Sequence, residues 1–267
     1  MTGGSSAQGV QTNGNGREKR THTGENMKVA ILSDIHGNLA AATQVAAYLQ
    51  AEQASGILLL GDLIDYGMHS NEVVDLIRSL PYPVFCNIRG NHEQAILTGE
   101  YTRFSSDRGR ECAKYTKSVL SERTWAYLRQ QMSGNGMCAF TLGGKACLAV
   151  HGSLADPYWK SISPGQELSP YSAYDYVFSG HSHLPHFFEV FHAADDPVNR
   201  NKKKTVFLNP GSVGQPRNLN PMAQFAVLDF ETGEVRMVKL PYDVAGEQKA
   251  YTGQVDDFYK VRLERGL

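Results

Sequence analysis

The sequence predicts an α/β domain, and three observations predict it. Short apolar runs alternate with stretches whose apolar residues recur at helical spacing, the pattern that lays helices against a sheet. The loops after several of those runs are rich in Gly, Asp, Asn, Ser and His. The chain has 267 residues, 41% of them hydrophobic, which suits one domain or two small ones with a buried core. Charge is nearly balanced, 26 basic against 27 acidic side chains for a net −1. That balance argues against a protein held on nucleic acid by bulk positive charge. No segment approaches the roughly 20 apolar residues of a membrane span, and the N-terminus lacks the apolar stretch of a secretory signal. The expected location is cytoplasmic, with neither a membrane nor a nucleic-acid partner.

Residues 1–26 contain Gly, Ser, Asn, Gln and Thr with a basic REKR patch and almost nothing apolar, so they cannot offset the entropy of ordering. They are expected to be a disordered tail that carries His22, and 27–267 to be the domain. Lys28–Leu32 reads as a short buried strand, 38–53 as a helix with Asn38 as its N-cap, and 56–60 as a second strand. A helix over 71–79 and a strand over 84–88 follow. From 94 to 132 no strand signal appears; 112–119 and 123–132 look helical, with Trp125 and Leu128 as anchors, so this is a helical insertion. Met137–Leu142 and Lys145–Val150 flank Gly143-Gly144, a hairpin signal. Further strands are expected at 174–178, 187–191 and 205–208, and 225–230 should pair with Val235–Leu240. These later strands read as a second, antiparallel sheet, with 201–204 (NKKK) a solvated loop. The four cysteines, Cys86, Cys112, Cys138 and Cys147, are too scattered for a zinc knuckle or disulfide framework, and are expected to be reduced and mostly buried.

The chemistry lies in the loops. Ser33-Asp34-Ile35-His36-Gly37-Asn38 follows the first strand, and in an extended segment Asp34 and His36 share a face and could chelate a divalent metal. Gly61-Asp62-Leu63-Ile64-Asp65 follows the second strand, and Gly90-Asn91-His92-Glu93 the third. His151 ends a fourth, and Gly180-His181-Ser182-His183 follows a fifth. Any one of these histidines alone reads as a hydrogen-bonded structural residue. Five strand ends bearing Asp, Asn and His together are a different matter, since α/β folds build sites at one edge of a sheet. The set Asp34, His36, Asp62, Asn91, His151, His181 and His183 suits two metals sharing one carboxylate. Nitrogen and oxygen donors without thiolate favour Mn, Fe, Zn, Co or Ni.

The ordered series DIHGN, GDLID, GNHE, HG and GHSH resembles the calcineurin-like metallophosphoesterase superfamily over roughly residues 27–240. GDLIDYGMHSNEVVDLIR, VHGSLADPYW and NPGSVGQPR further resemble its bacterial predicted-phosphodiesterase branch, sometimes labelled as related to diadenosine tetraphosphatase. The resemblance implies a four-layer α/β/β/α sandwich with a dinuclear centre at the strand ends. It assigns Asp34, His36, Asp62 and His183 to one metal and Asp62, Asn91, His151 and His181 to the other, with Mn favoured. It also gives His92 a role at the leaving-group oxygen, with Asp65 orienting His92. The expected reaction is hydrolysis of a small phosphodiester or nucleotide by a metal-bridging hydroxide. The alternatives are a phosphomonoesterase or protein Ser/Thr phosphatase with the same centre, and a catalytically silent scaffold, which would need missing ligands. Arg217 either turns the chain or offers its donor fork to a substrate phosphate. Glu93 is expected to support the metal loop. Tyr101, Arg103, Arg108 and Arg110 of the insertion either overhang the site or belong to a packed helical layer.

Overall fold

The computed structural model describes residues 27–198, 200 and 202–267; the expected tail, with His22, lies outside them. In chain order the strands are β1 (Lys28–Leu32), β2 (Gly56–Leu59), β3 (Val84–Asn87), β4 (Met137–Leu142), β5 (Lys145–Val150), β6 (Tyr176–Ser179), β7 (His186–Phe191), β8 (Lys204–Asn209), β9 (Ala223–Asp229) and β10 (Val235–Leu240). The helices are α1 (Leu39–Glu52), α2 (Ser70–Ser79), α3 (Asn91–Thr98), α4 (Asp107–Val119), α5 (Glu122–Gln130), α6 (Val244–Gln248) and α7 (Phe258–Arg265).

The strands form two mixed five-stranded sheets, ordered β10-β9-β1-β2-β3 and β4-β5-β6-β8-β7. In β1 the alternation of side chains serves two layers at once. Val29 and Ile31, with Leu58 and Leu60, pack on Cys147, Ala149, Phe178 and Leu208 of the second sheet. Ala30 and Leu32, with Ile57 and Leu59, face the helices, against Val45 and Leu49 of α1 and Val73 and Ile77 of α2. A strand buried on both faces reads as a continuous apolar run, which is why KVAIL and GILL contain so little polar alternation. The outer face of the second sheet, Leu148, Val150, Val177 and Phe207, is covered by Ile162, Leu168 and Tyr171. The result is the four-layer sandwich, its fourth layer reduced to the 151–175 segment with one 3₁₀ turn at Ser169–Tyr171.

Several expected elements are present. Asn38 caps α1, its side chain accepting from the Ala41 amide at 3.0 Å. Gly143 and Gly144 have φ of 56° and 73°, the conformation of a two-residue hairpin turn, and Leu142 pairs with Lys145 across it. Ser106 and Ser121 cap α4 and α5, and Leu128 is fully buried while Trp125 is half-buried. All four cysteines are free, Cys138 alone being only half-buried.

The second sheet departs from expectation. It is not antiparallel: β5, β6 and β8 run parallel, and only its edges, β4 and β7, are antiparallel. The 151–175 segment is long enough to carry the chain back to the same end of the sheet, as a parallel crossover requires. The β9–β10 hairpin joins the first sheet instead, with Ala30 opposite Val227. Lys204 opens β8 and pairs with Glu189 at 2.7 Å rather than sitting in a loop; Asn201 lies outside the described residues. Helices α6 and α7 were not anticipated. They tie the C-terminal region to the site: Glu247 accepts from the Ala40 amide at 3.0 Å and meets His69 at 2.8 Å, and Tyr259 stacks under Tyr66 at 4.6 Å.

Candidate metal centre

The loops after β1, β2, β3, β5, β6 and β8 meet where the C-terminal ends of the two sheets' parallel strands face each other. The edge belongs to two sheets, not to one. Backbone bonds stitch the loops together: the His36 amide donates to the Asp62 carbonyl at 2.9 Å, and the Gly214 amide to the Asp34 carbonyl at 3.1 Å. Asp34 and His36 are not extended; their φ values are 55° and 50°. Asp62, His181 and His183 share the left-handed region at 54°, 64° and 58°. This conformation costs about 1–2 kcal/mol for a residue with a Cβ, and such strain persists only where the surroundings enforce it. Two glycines make room. A Cβ on Gly90 would stand 2.1 Å from Asp62 Oδ1, and one on Gly180 2.1 Å from Ser33 Oγ.

Glu93 locks the second and third loops. Its Oε1 accepts from the Leu63 amide at 2.7 Å, and its Oε2 accepts from the Asp62 and Gly90 amides at 2.8 Å each. Burial and the nearby Asp62 charge lift its carboxyl to about 7.

Asp34, His36, Asp62 and His183 each bring one ligand-type atom within 4.8 Å of the others, and Asp62, His151 and His181 form a second such group. Asn91 Oδ1 joins the latter, 3.0 Å from His151 Nε2 and 2.9 Å from His181 Nδ1. Asp62 belongs to both. Apart from the half-buried His181, every one of these residues is buried.

Hydrogen bonding fixes how the imidazoles present themselves. His36 Nδ1 donates to the Ile64 carbonyl at 3.2 Å and His183 Nδ1 to the Gln215 carbonyl at 2.5 Å. Burial depresses the pKa of both, His183 to about 4 and His36 well below its usual value. Both rings are then neutral with the lone pair on Nε2, yet those two nitrogens face each other at 3.2 Å. Two facing lone pairs repel unless a cation lies between or beside them. Asp34 Oδ1 and Asp62 Oδ2 are buried without a hydrogen-bond donor, each with an imidazole nitrogen 3.2 Å away. Burial would raise both carboxyls, but the surrounding histidines outweigh it and hold them low. Burial likewise opposes charge on His151, yet Asp62 lifts it to about 9; burial takes His181 down to about 3. Divalent cations need deprotonated carboxylates and neutral imidazoles. Asp34, Asp62, His36, His181 and His183 meet that condition, whereas His151 holds a proton against Asp62 that a cation bound there would displace.

His92 lies beside this cluster. Its Nδ1 meets Asp65 Oδ2 at 2.6 Å, and its Nε2 stands 3.9 Å from Asp62 Oδ2. Asp65 is itself oriented by Thr116 of α4, whose hydroxyl donates to Oδ1 at 2.7 Å. Burial works against a charged His92, but Asp62 and the Asp65 bond overcome it and raise its pKa. Above the cluster opens a cavity of about 460 Å³, lined in part by Tyr66, Arg103, Phe104, Trp159 and Arg217. Among the described residues no carboxylate lies within ion-pair distance of Arg217, and its Nε is buried without a partner.

The match to the model of the calcineurin-like phosphoesterase superfamily domain spans residues 27–233. The chain belongs to this superfamily. Membership makes it a hydrolase of phosphate esters in class, and the Asp/His cluster is suited to metal. Over 229 residues it is 28% identical to the uncharacterized protein MJ0912 of Methanocaldococcus jannaschii, spanning 84% of this chain and 90% of that one. Its fold is similar to a metallophosphoesterase from Sphaerobacter thermophilus, with a TM-score of 0.71 and 25% identity over 91% of this chain and all of the other. A hypothetical protein PH1004 from Pyrococcus horikoshii OT3 shares the fold with a TM-score of 0.73 and 22% identity, covering 90% and 98% of the two chains.

Sequence reasoning missed four residues around the site. Tyr66 follows Asp65 directly and packs on His36 and His92 at 4.6 and 4.4 Å; an aromatic beside the second loop was the available signal. Trp159 lies in the VHGSLADPYW segment, which gave the resemblance but no role for the indole, and Thr116 and Phe104 reach the site from distant segments and carried no signal. Of the insertion residues singled out, Arg103 lines the cavity. Arg108 lies over Phe258 at 4.1 Å, Arg110 bonds Asp107 and the Phe104 carbonyl, and Tyr101 packs near Phe104.

Proposed function

We propose that residues 27–267 form one metallophosphoesterase unit that hydrolyses a small phosphodiester. In this reading Asp34, His36, Asp62 and His183 hold one divalent metal, and Asp62, Asn91, His151 and His181 a second. The observation that carries it is the 3.2 Å approach of His36 Nε2 to His183 Nε2, with both Nδ1 atoms engaged on backbone carbonyls, beside the orphaned Asp34 and Asp62 oxygens. Manganese leads among the metals that accept such a donor set, with Fe, Zn, Co and Ni behind it. Cations held there lower the pKa of water and neutralise phosphoryl charge.

The chain's own groups do the rest. Asp65, held by Thr116, accepts from His92 Nδ1 and so favours the imidazolium, which leaves a proton on Nε2 for the departing oxygen. Arg217, with no carboxylate at ion-pair distance among the described residues, takes a non-bridging phosphoryl oxygen. The cavity is far larger than a phosphoryl group, with room for an ester on either side of it. Four free thiols accord with a reducing, cytoplasmic setting.

The test is hydrolysis of bis-p-nitrophenyl phosphate against p-nitrophenyl phosphate by Mn²⁺-loaded protein. The diester should be the better substrate by kcat/KM, and chelation should abolish both activities. A monoester preference would transfer the assignment to a phosphomonoesterase, and no hydrolysis of either would overturn it.

A further inference from the structure

The cavity has a second, aromatic wall that is assembled only by folding. Phe104, in the α3–α4 connection, stands edge-on to His92 with centroids 5.0 Å apart, and edge-on to Trp159 at 5.3 Å. Trp159 lies 6.2 Å from His181. The indole is therefore one ring removed from the group assigned to the leaving oxygen and adjacent to the metal cluster. Phe104 is buried, whereas Trp159 is half-buried and lines the cavity.

This wall is held in place. Asp156 Oδ1 accepts from the Tyr158 and Trp159 amides at 3.2 and 3.1 Å, fixing the turn that presents the indole. Asp156 Oδ2 binds Arg103 at 2.5 Å, and the Arg103 guanidinium lies over the indole at 5.2 Å from its centroid. A single carboxylate thus positions both the ring and the planar cation flanking it, and joins the insertion to the loop after β5.

A bare phosphate gains nothing from an indole, whose exposed apolar surface is costly to hydrate. A planar heterocycle gains a stacking surface, and a guanidinium plane stacks on bases as well. We infer that Trp159, backed by Phe104 and flanked by Arg103, is a nucleobase subsite, so that the substrates are nucleoside phosphate esters. The inference rests on the proposed function, which supplies the phosphate end of the site.

Binding of AMP and of ribose 5-phosphate to Mn²⁺-loaded protein tests it, because the two differ only in the base. The wild type should bind AMP about 5- to 150-fold more tightly, the range for one stacked base. AMP should also quench Trp159 emission, with Trp125 as the remaining tryptophan. Trp159→Leu should abolish the preference and the quenching while ribose 5-phosphate affinity and Mn content hold, and Trp159→Tyr should restore most of the preference. Equal affinities in the wild type, or a preference that survives in Trp159→Leu, would overturn the subsite. Failure of both phosphates to bind would overturn the proposed function itself and this inference with it.

Discussion

His92 touches the cluster without being needed to complete it. Its amide donates to Asp62 Oδ1 at 2.9 Å and its ring is clamped by Asp65, so replacing the ring need not disturb either group of candidate ligands. A positioned general acid contributes typically about 10²- to 10⁴-fold. His92→Asn is therefore expected to keep its metal content and to lose activity mainly on esters with poor leaving groups. A p-nitrophenolate departs without a proton, whereas an alkoxide or ribose oxygen needs one. Measuring kcat for both ester types in wild type and variant separates the roles: an equal loss assigns His92 to phosphoryl binding, and loss of metal makes it a ligand. At this scale the sequence was legible wherever chemistry sat in short contiguous loops, as in Asp34-Ile35-His36 and Asn91-His92. Even there the physical reason differed. Asp34 and His36 converge through left-handed backbone rather than through the alternation of an extended segment. Thr116 was invisible because its partner, Asp65, lies in a different loop and only the packing of α4 joins them.

Among elements, the loops depend on one another more than on their own strands. Glu93 occupies the third position of α3 and satisfies the Gly90 amide at its N-terminus, yet the same carboxylate also holds the Asp62 and Leu63 amides. Glu93→Ala would leave these buried donors without an acceptor, at about 1–3 kcal/mol for each. Part would be recovered by water entering the space, so the expected loss is about 3 kcal/mol, read from urea unfolding of metal-free protein, together with weakened Mn²⁺ binding. A loss below about 1 kcal/mol would mean that the loops hold their shape without Glu93. Helices with clear apolar spacing and caps, α1 above all, and the Gly143-Gly144 hairpin were readable because their signals are local. Sheet membership was not. The β9–β10 hairpin has the same internal pattern whichever sheet it joins, and the choice of β1 as its neighbour is made by packing across the molecule. Helices α6 and α7 escaped because α6 is only five residues long and α7 buries little beyond Tyr259, Arg262 and Leu263.

For the whole molecule, two sheets packed face to face bring six loops from distant parts of the chain to one place, and both groups of candidate ligands draw on both sheets. Asp62 is the common member of those groups, so the account stands or falls with it. Metal content per chain is the most direct measurement: saturation with Mn²⁺, removal of free ion by gel filtration, then elemental analysis of wild type and Asp62→Ala, with circular dichroism as the check on folding. The account predicts two metals in the wild type and the loss of at least one in the folded variant. A folded wild type that retains one metal or none, or an Asp62→Ala variant that retains two, would contradict it.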